Sequence, residues 1–152
     1  MYDRIVVPLD GSEFANISLT HAKTLARRLD VPIHLVRAID PTVINRVGAT
    51  SIGFDYSAVD ELITEEEQAA TTFIDRQVET LEADGFSVTG VVLRGYAAAA
   101  VNSTTQEGDL IVMASHGRSG VRRWFLGSVA EEIVRQSTVP VLLIRQPHEE
   151  GQ

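Results

Sequence analysis

Apolar residues recur along this chain with two different periods. Short runs rich in β-branched residues, such as residues 5–7 and 109–115, have the length and composition of buried strands. Between such runs, apolar residues return every three or four positions, as in the series from Ala15 to Leu29. That spacing is typical of an amphipathic helix. The pattern therefore predicts strands and helices in alternation.

The predicted elements follow one another without an internal repeat or a linker. Strands are predicted at residues 5–7, 33–39, 87–93, 109–115 and 139–144, and helices at residues 13–29, 58–84, 97–105 and 128–136. Ser12 is a predicted N-cap, and residues 40–57 are predicted to form a long loop. Alternating strands and helices imply a mostly parallel sheet that is covered on both faces. We expect a single domain over residues 1–146 and a polar tail at residues 147–152.

Composition narrows the chemistry. The 152 residues include no cysteine, which excludes disulfides, thiolate metal sites and a cysteine nucleophile. Acidic residues outnumber basic ones 21 to 13, and the formal net charge of −8 disfavours nucleic acid and anionic membranes as partners. Lys23 is the only lysine. An acid-rich, lysine-poor surface fits a high-salt cytoplasm, and drift within a protein family explains it equally well.

The charge is unevenly distributed. Residues 55–84 contain ten acidic residues and one arginine, whereas residues 110–130 contain three arginines and no acidic residue. The second segment is therefore locally cationic, and one small polyanion remains a reasonable ligand. No run reaches the roughly 18–20 apolar residues that a membrane helix needs, and the first residues lack a signal-peptide pattern. We expect a cytoplasmic protein.

Two segments follow strands where a ligand is expected to bind. In open α/β sheets, ligands bind beyond the carboxyl ends of the strands, and residues 8–12 and 113–129 lie there. Gly127 and Ser128 stand where the last helix begins, and free N–H groups at a helix start favour phosphate. Alternatively, Ser128 caps the helix and Gly127 makes the turn. The P-loop and dinucleotide fingerprints are absent.

Four stretches resemble the universal stress protein family: YDRIVVPLDGSE at residues 2–13, DLIVMASHGRSG at 109–120, LGSVAE at 126–131 and PVLLI at 140–144. The resemblance extends over essentially the whole chain. It implies an open five-stranded parallel sheet with helices on both faces, a doubly wound, Rossmann-like α/β domain. It also implies a homodimer and, in the nucleotide-binding branch, an ATP site with the motif G-x2-G-x9-G-[ST].

The resemblance assigns the motif positions one by one. The three glycines fall on Ala114, Gly117 and Gly127, and the hydroxyl falls on Ser128. Ala114 departs from the pattern, and its extra methyl group matters only if a ligand touches that Cα or if φ is positive there. The nucleotide-binding positions implied in this way are Pro8, Leu9, Asp10, Ala38, Met113, Ala114, Gly117, Arg118, Gly127, Ser128 and Val129.

Roles within that set are also implied by the resemblance. Residues 8–10 line the adenosine pocket, and the backbone of Ala38 meets the adenine. The N–H groups of Gly117, Gly127, Ser128 and Val129 hold the phosphates. Any Mg²⁺ or Mn²⁺ ion is carried by the phosphates and by water, because no carboxylate cluster marks a metal site.

Several alternatives remain open for individual residues. Asp10 either contacts the ligand or caps the first helix. Arg118 either neutralises phosphate or only solvates the loop, and the same two alternatives apply to Arg122 and Arg123. His116 is interpreted as structural, and no nucleophile with a base and an orienting group is found. We assign no catalytic residue, and any ATP hydrolysis should be slow.

Three functions compete at this stage. The first is an ATP-binding stress-response regulator with protein partners that the sequence does not identify. The second is a nucleotide-independent dimeric interaction module, and the third is a slow ATP hydrolase. The last strand, at residues 139–145, is a predicted sheet edge too apolar to remain bare, so pairing with a second copy is expected there.

Overall fold

The computed structural model describes residues 1–42, 56–115 and 126–145. The strands are β1 (Arg4–Pro8), β2 (Ile33–Ile39), β3 (Val88–Arg94), β4 (Asp109–Ala114) and β5 (Val141–Ile144). The helices of this described part are α1 (Glu13–Leu29), α2 (Tyr56–Ala83), α3 (Ala97–Ser103) and α4 (Ser128–Gln136).

All five strands are parallel, in the order β3-β2-β1-β4-β5, so the predicted fold class is confirmed. The β-branched run Ile5, Val6 and Val7 forms the central strand, and none of the three side chains is exposed. A strand that pairs on both sides and is covered on both faces has to be apolar at every position. This explains why β1 shows a continuous apolar run and no alternation.

Helices cover both faces of the sheet. Ile5 and Val7 pack with α1 and α2 on one face, and Val6 packs with α3 and α4 on the other. Successive side chains of a strand point to opposite faces, which separates these two clusters. The chain thus builds two apolar layers on one sheet.

Some element boundaries differ from the prediction. β5 begins at Val141 and not at residue 139, because a turn held by Ser137 and Val139 precedes Pro140, which has no N–H. Helix α2 already includes Tyr56, two residues before the predicted start, and α3 ends at Ser103. Most of the predicted loop at 40–57 lies outside the described residues, as does the predicted tail.

A charged pair joins the amino ends of β1 and β4. The Arg4 guanidinium donates to both carboxylate oxygens of Asp109, at 3.0 and 2.6 Å, and also to the Thr104 carbonyl. Burial raises the pKa of the Asp109 carboxyl, but hydrogen bonds from Arg4 and from the Gln106 N–H outweigh this effect and lower the pKa. Burial and then the charge of Arg4 lower the pKa of His34. This polar cluster lies at the sheet end opposite to residues 8–12.

Asp109→Asn should destabilise the protein by about 3 kcal/mol at neutral pH, because Arg4 would lose its charged partner. A carboxyl whose pKa is lowered on folding contributes stability above its unfolded pKa of about 3.9, and the contribution is lost as pH falls through the folded pKa. The difference in unfolding free energy between the parent chain and Asp109→Asn should therefore become smaller below about pH 4. Urea unfolding of both proteins from pH 7 to pH 3 measures it; a difference that does not change with pH would contradict the assignment.

Gly90 in β3 permits close packing by α2. A Cβ atom at this position would overlap Ile74 Cγ2 and come within 3.1 Å of Val78 Cγ2. Both neighbours are methyl groups of β-branched side chains on a helix, and such side chains rotate little. The space above Gly90 is therefore already filled by the helix.

Gly90→Ala should cost about 1–3 kcal/mol of unfolding free energy through overpacking. The matched test uses an Ile74→Ala background, which lacks the Cγ2 atom. There the same glycine substitution should cost much less than in the parent chain. Equal costs in the two backgrounds, measured by urea unfolding, would show that the helix contact is not the cause.

Candidate functional site

A cavity of about 310 Å³ opens at the carboxyl end of the sheet. The ends of β1, β2 and β4 form its floor, and the first turns of α1, α3 and α4 contribute its walls. Asp10 is the only charged residue among its described lining residues, and most of the others are apolar. Such a composition suits a flat, largely apolar ligand group that needs few polar contacts.

The cavity brings together most of the residues assigned by the sequence. Nine of the eleven line it: Pro8, Leu9, Asp10, Ala38, Met113, Ala114, Gly127, Ser128 and Val129. Gly117 and Arg118 lie outside the described residues, as do His116, Arg122 and Arg123. The nine described positions share one cavity.

Further lining residues were missed from the sequence: Ala15, Val36, Ala97, Val101, Ser115 and Ala130. Simple periodicity would have indicated two of them. Val36 lies two residues before Ala38, on the same side of β2, and Val101 lies one turn after Ala97. Ser115 gave no such signal, because its described contacts are made by its main chain.

Ser115 connects three elements at the cavity. Its N–H donates to the carbonyl of Ile144 at the end of β5, at 2.9 Å, and its carbonyl accepts from the N–H of Gly127, also at 2.9 Å. The start of α4 is thereby fixed to the end of β4. The second bond also corrects an expectation, because the Gly127 N–H, one of those implied to hold phosphate, is engaged within the chain.

Helix α4 begins with N–H groups that the helix itself does not use. Gly127 is the N-cap, with φ −60° and ψ 147°, and a glycine has no side chain with which to cap the helix. The first bond of the helix runs from the Glu131 N–H to the Gly127 carbonyl. The N–H groups of Ser128, Val129 and Ala130 therefore have no acceptor within the helix. Ser128 is the first helical residue and not its cap, so that alternative is wrong.

Helix α1 begins differently at the same cavity. Oδ1 of Asp10 accepts from the N–H of Ser12 at 2.9 Å and from its hydroxyl at 2.5 Å, across a turn in which Gly11 has φ 80°. Ser12 does occupy the N-cap position, but its side chain does not cap the helix. Asp10 supplies negative charge at the α1 start, where it is favoured. Asp10 Oδ1 therefore holds the N-cap residue in a turn before the helix, and these two bonds involve no N–H of the helix itself.

The backbone of Ala38 is directed towards the cavity. The Val36 carbonyl accepts from the Leu9 N–H, and the Ile39 carbonyl accepts from the Gly95 N–H on the opposite side of β2. In a parallel strand, the N–H and C=O groups of consecutive residues point alternately to the two neighbouring strands. Those of Ala38 therefore point to the β1 side, as those of Val36 do. The pairing of β1 with β2 ends at Pro8 and Val36. The N–H and C=O of Ala38 thus face the space beyond the end of β1.

The end of β2 is held from the other face by a buried arginine. The Arg37 side chain is 7% exposed, donates to Glu66 at 3.2 Å and lies over the Phe73 ring at 5.7 Å. Both partners belong to α2, so α2 holds the strand segment next to Ala38.

Within residues 1–42, 56–115 and 126–145, no group of three or more His, Cys, Asp or Glu side chains is arranged to hold a metal ion. In the same part of the chain, no helix is both long and apolar enough to cross a membrane.

Comparison with protein families matches residues 1–145 to the universal stress protein family. The chain belongs to this family. Universal stress protein MJ0531 of Methanocaldococcus jannaschii is 30% identical over 152 residues, which cover 99% of this chain and 86% of the relative. The solved structure of MJ0577, from the same organism, superposes with a TM-score of 0.82 at 27% identity and covers 98% of this chain and 99% of that one.

Two solved members of the family contain nucleotides. A universal stress protein of Archaeoglobus fulgidus was solved in complex with dAMP, at 22% identity and a TM-score of 0.62, covering 93% of this chain and 97% of that one. Another was solved in complex with cAMP, at 21% identity and a TM-score of 0.56, covering 95% and 97%. At these identities the likeness to this chain shows a shared fold.

Proposed function

We propose that this universal stress protein is an ATP-binding regulator and that the cavity at the carboxyl end of the sheet holds the nucleotide. The observation that carries the proposal is the convergence of two main-chain features on one apolar cavity. One is the open start of α4, and the other is the outward-facing backbone of Ala38.

The start of α4 supplies the phosphate end. The N–H groups of Ser128, Val129 and Ala130 lie at the cavity and have no acceptor in the helix. A helix start also carries a partial positive charge, and the two effects together favour phosphate oxygens. Helix α1 is less suitable, because the Asp10 carboxylate lies just before its first turn and would repel an anion there.

The Ala38 side of the cavity supplies the base end. Apolar side chains such as Val36, Val101 and Met113 line the space into which the Ala38 backbone is directed. One main-chain donor and one acceptor on a strand edge complement the hydrogen-bonding edge of adenine, and apolar walls accommodate its faces. The ribose then lies between the two ends, next to Asp10.

Related proteins support an adenine nucleotide. The family members solved with dAMP and with cAMP both hold adenine nucleotides. A Mg²⁺ or Mn²⁺ ion bound with the nucleotide would be held by phosphate oxygens and water, as Mg²⁺ is in many nucleotide sites. We assign the protein a regulatory role, in which ATP occupancy alters the surface that partner proteins meet. The acid-rich surface fits a high-salt cytoplasm.

Ser128→Pro should weaken ATP binding about 10- to 100-fold, because proline removes one phosphate-facing N–H and the hydroxyl. The fold should survive, since proline is accepted at the first helical position and Gly127 already has the extended ψ that a following proline requires. Calorimetric titration with ATP and magnesium measures the effect.

The matched control for this experiment is Ser128→Ala, which removes only the hydroxyl and keeps the N–H. It should retain most of the ATP affinity of the parent chain, and adenosine should bind Ser128→Pro and the parent equally. Absence of ATP binding to the parent chain at millimolar concentration would refute the proposed function. Equal ATP affinity of all three proteins would refute the role of the α4 start.

We further propose that the protein forms a homodimer through β5. This strand lies at the sheet edge and pairs only with β4 among the described strands. The carbonyls of Pro140 and Ile144 face β4, so the backbone polar groups of Val141 and Leu143 face outwards. Leu142 remains 37% exposed beside them. An unpaired apolar edge of this kind is a template for a second strand.

Light scattering at tens of micromolar should show a dimer for the parent chain and a monomer for Leu142→Lys. A lysine there would place two like charges close together across a two-fold axis. Val134→Lys is the matched control, because Val134 is 43% exposed on α4 and is not part of the edge; it should leave the dimer intact. A monomeric parent chain would overturn the proposal.

A further inference from the structure

Tyr96 stands out as an exposed aromatic residue beside the cavity. Its side chain is 63% exposed, although a tyrosine ring is a large apolar group that usually finds a packing partner. The next residue, Ala97, lines the cavity, and consecutive Cα atoms are only about 3.8 Å apart. The exposed ring is therefore carried by the rim of the cavity.

The backbone around Tyr96 is fixed on both sides. The Gly95 N–H donates to the Ile39 carbonyl at 2.9 Å, and the Tyr96 carbonyl accepts from the Ala100 N–H at 2.9 Å. Tyr96 is also the N-cap of α3, with φ −61° and ψ 132°. Rotation about the side-chain bonds therefore moves the ring while its attachment point stays in place.

The attachment point lies on the base side of the cavity. Ile39, which holds Gly95, directly follows Ala38, and β3 and β2 both lie on the side of β1 away from β4. The start of α4, which we assign to the phosphates, follows β4 on the other side. Val129, at that second rim, is 44% exposed and lines the cavity itself. Exposed apolar groups thus flank the cavity at both ends.

We propose that Tyr96 is a base-specificity residue, whose ring packs against the nucleobase of the bound nucleotide. The inference rests on the proposed nucleotide-binding function and adds a contact that the sequence motifs did not indicate. A ring on the rim covers a face of the base that the apolar floor leaves open to water. Base–aromatic stacking contributes enough affinity for its loss to be measured by substitution.

Calorimetric titration with ATP should give a dissociation constant about 5- to 100-fold higher for Tyr96→Ala than for the parent chain. Tyr96→Phe keeps the ring and should bind as the parent does. Tyr96→Leu keeps apolar area without an aromatic face and should be intermediate. Val134→Ala, an exposed apolar truncation near the far end of α4, is the matched control and should have no effect.

A second measurement addresses specificity. The ratio of the UTP to the ATP dissociation constant should fall in Tyr96→Ala, because a purine offers the ring more stacking area than a pyrimidine. Thermal unfolding of each variant without ligand establishes that the fold is intact, as expected for an exposed position.

The outcomes separate the two proposals. If the parent chain binds ATP and Tyr96→Ala binds within twofold of it, the role of Tyr96 is overturned and the proposed function stands. If Tyr96→Phe is as weak as Tyr96→Ala, the ring is not the contact and the inference fails as well. If the parent chain itself does not bind ATP at millimolar concentration, the proposed function fails and this inference with it.

Discussion

The cavity depends on one topological constraint, which is the change of direction at β1. The chain first builds β2 and β3 on one side of β1 and then returns to build β4 and β5 on the other. Because parallel crossovers are right-handed, this reversal places α1 and α2 on one face and α3 and α4 on the other. The helices therefore diverge where β1 and β4 end, and a space remains between them. The buried strand Ile5–Val6–Val7 is what permits such a central position, since both of its faces and both of its edges are covered.

The main chain of Ser115 fixes the positions of the elements around that space. Its two hydrogen bonds fix the end of β5 and the start of α4 to the end of β4. Both bonds use backbone atoms, so the geometry depends on where the chain runs more than on which side chain stands at 115. The side chains of the cavity, by contrast, determine which ligand group fits.

The sequence predicts the parts of this protein that repeat a local pattern. The amphipathic spacing from Ala15 to Leu29 and the apolar run of β4 are sufficient to place those elements within a residue or two. The predicted start of β5 is two residues too early. Pro140 does not interrupt the apolar pattern, but it has no N–H with which to pair as a strand residue. The engagement of Gly127 was not predictable, since its acceptor lies on the far side of residues 116–125. Asp10 shows the same limit, because the sequence does not distinguish an aspartate that accepts from Ser12 from one that contacts a ligand.

The net charge of −8 would oppose a polyanionic ligand if it were evenly distributed, and the fold separates much of it from the cavity. Eight of the 21 acidic residues belong to α2, which packs on the α1 face of the sheet, whereas α4 packs on the opposite face. At physiological ionic strength the Debye length is about 8 Å, so exposed charges separated by the thickness of the sheet are largely screened from each other. The local field at the cavity is then determined by the nearest groups. Among the described residues, these are the N–H groups at the start of α4 and the Asp10 carboxylate, whose Oδ1 accepts from Ser12. A glycine N-cap costs the helix roughly a few tenths of a kcal/mol relative to serine or aspartate, so position 127 can leave the N–H groups of the first turn without a capping side chain of its own at little loss of stability, and an anion can take the place of that cap.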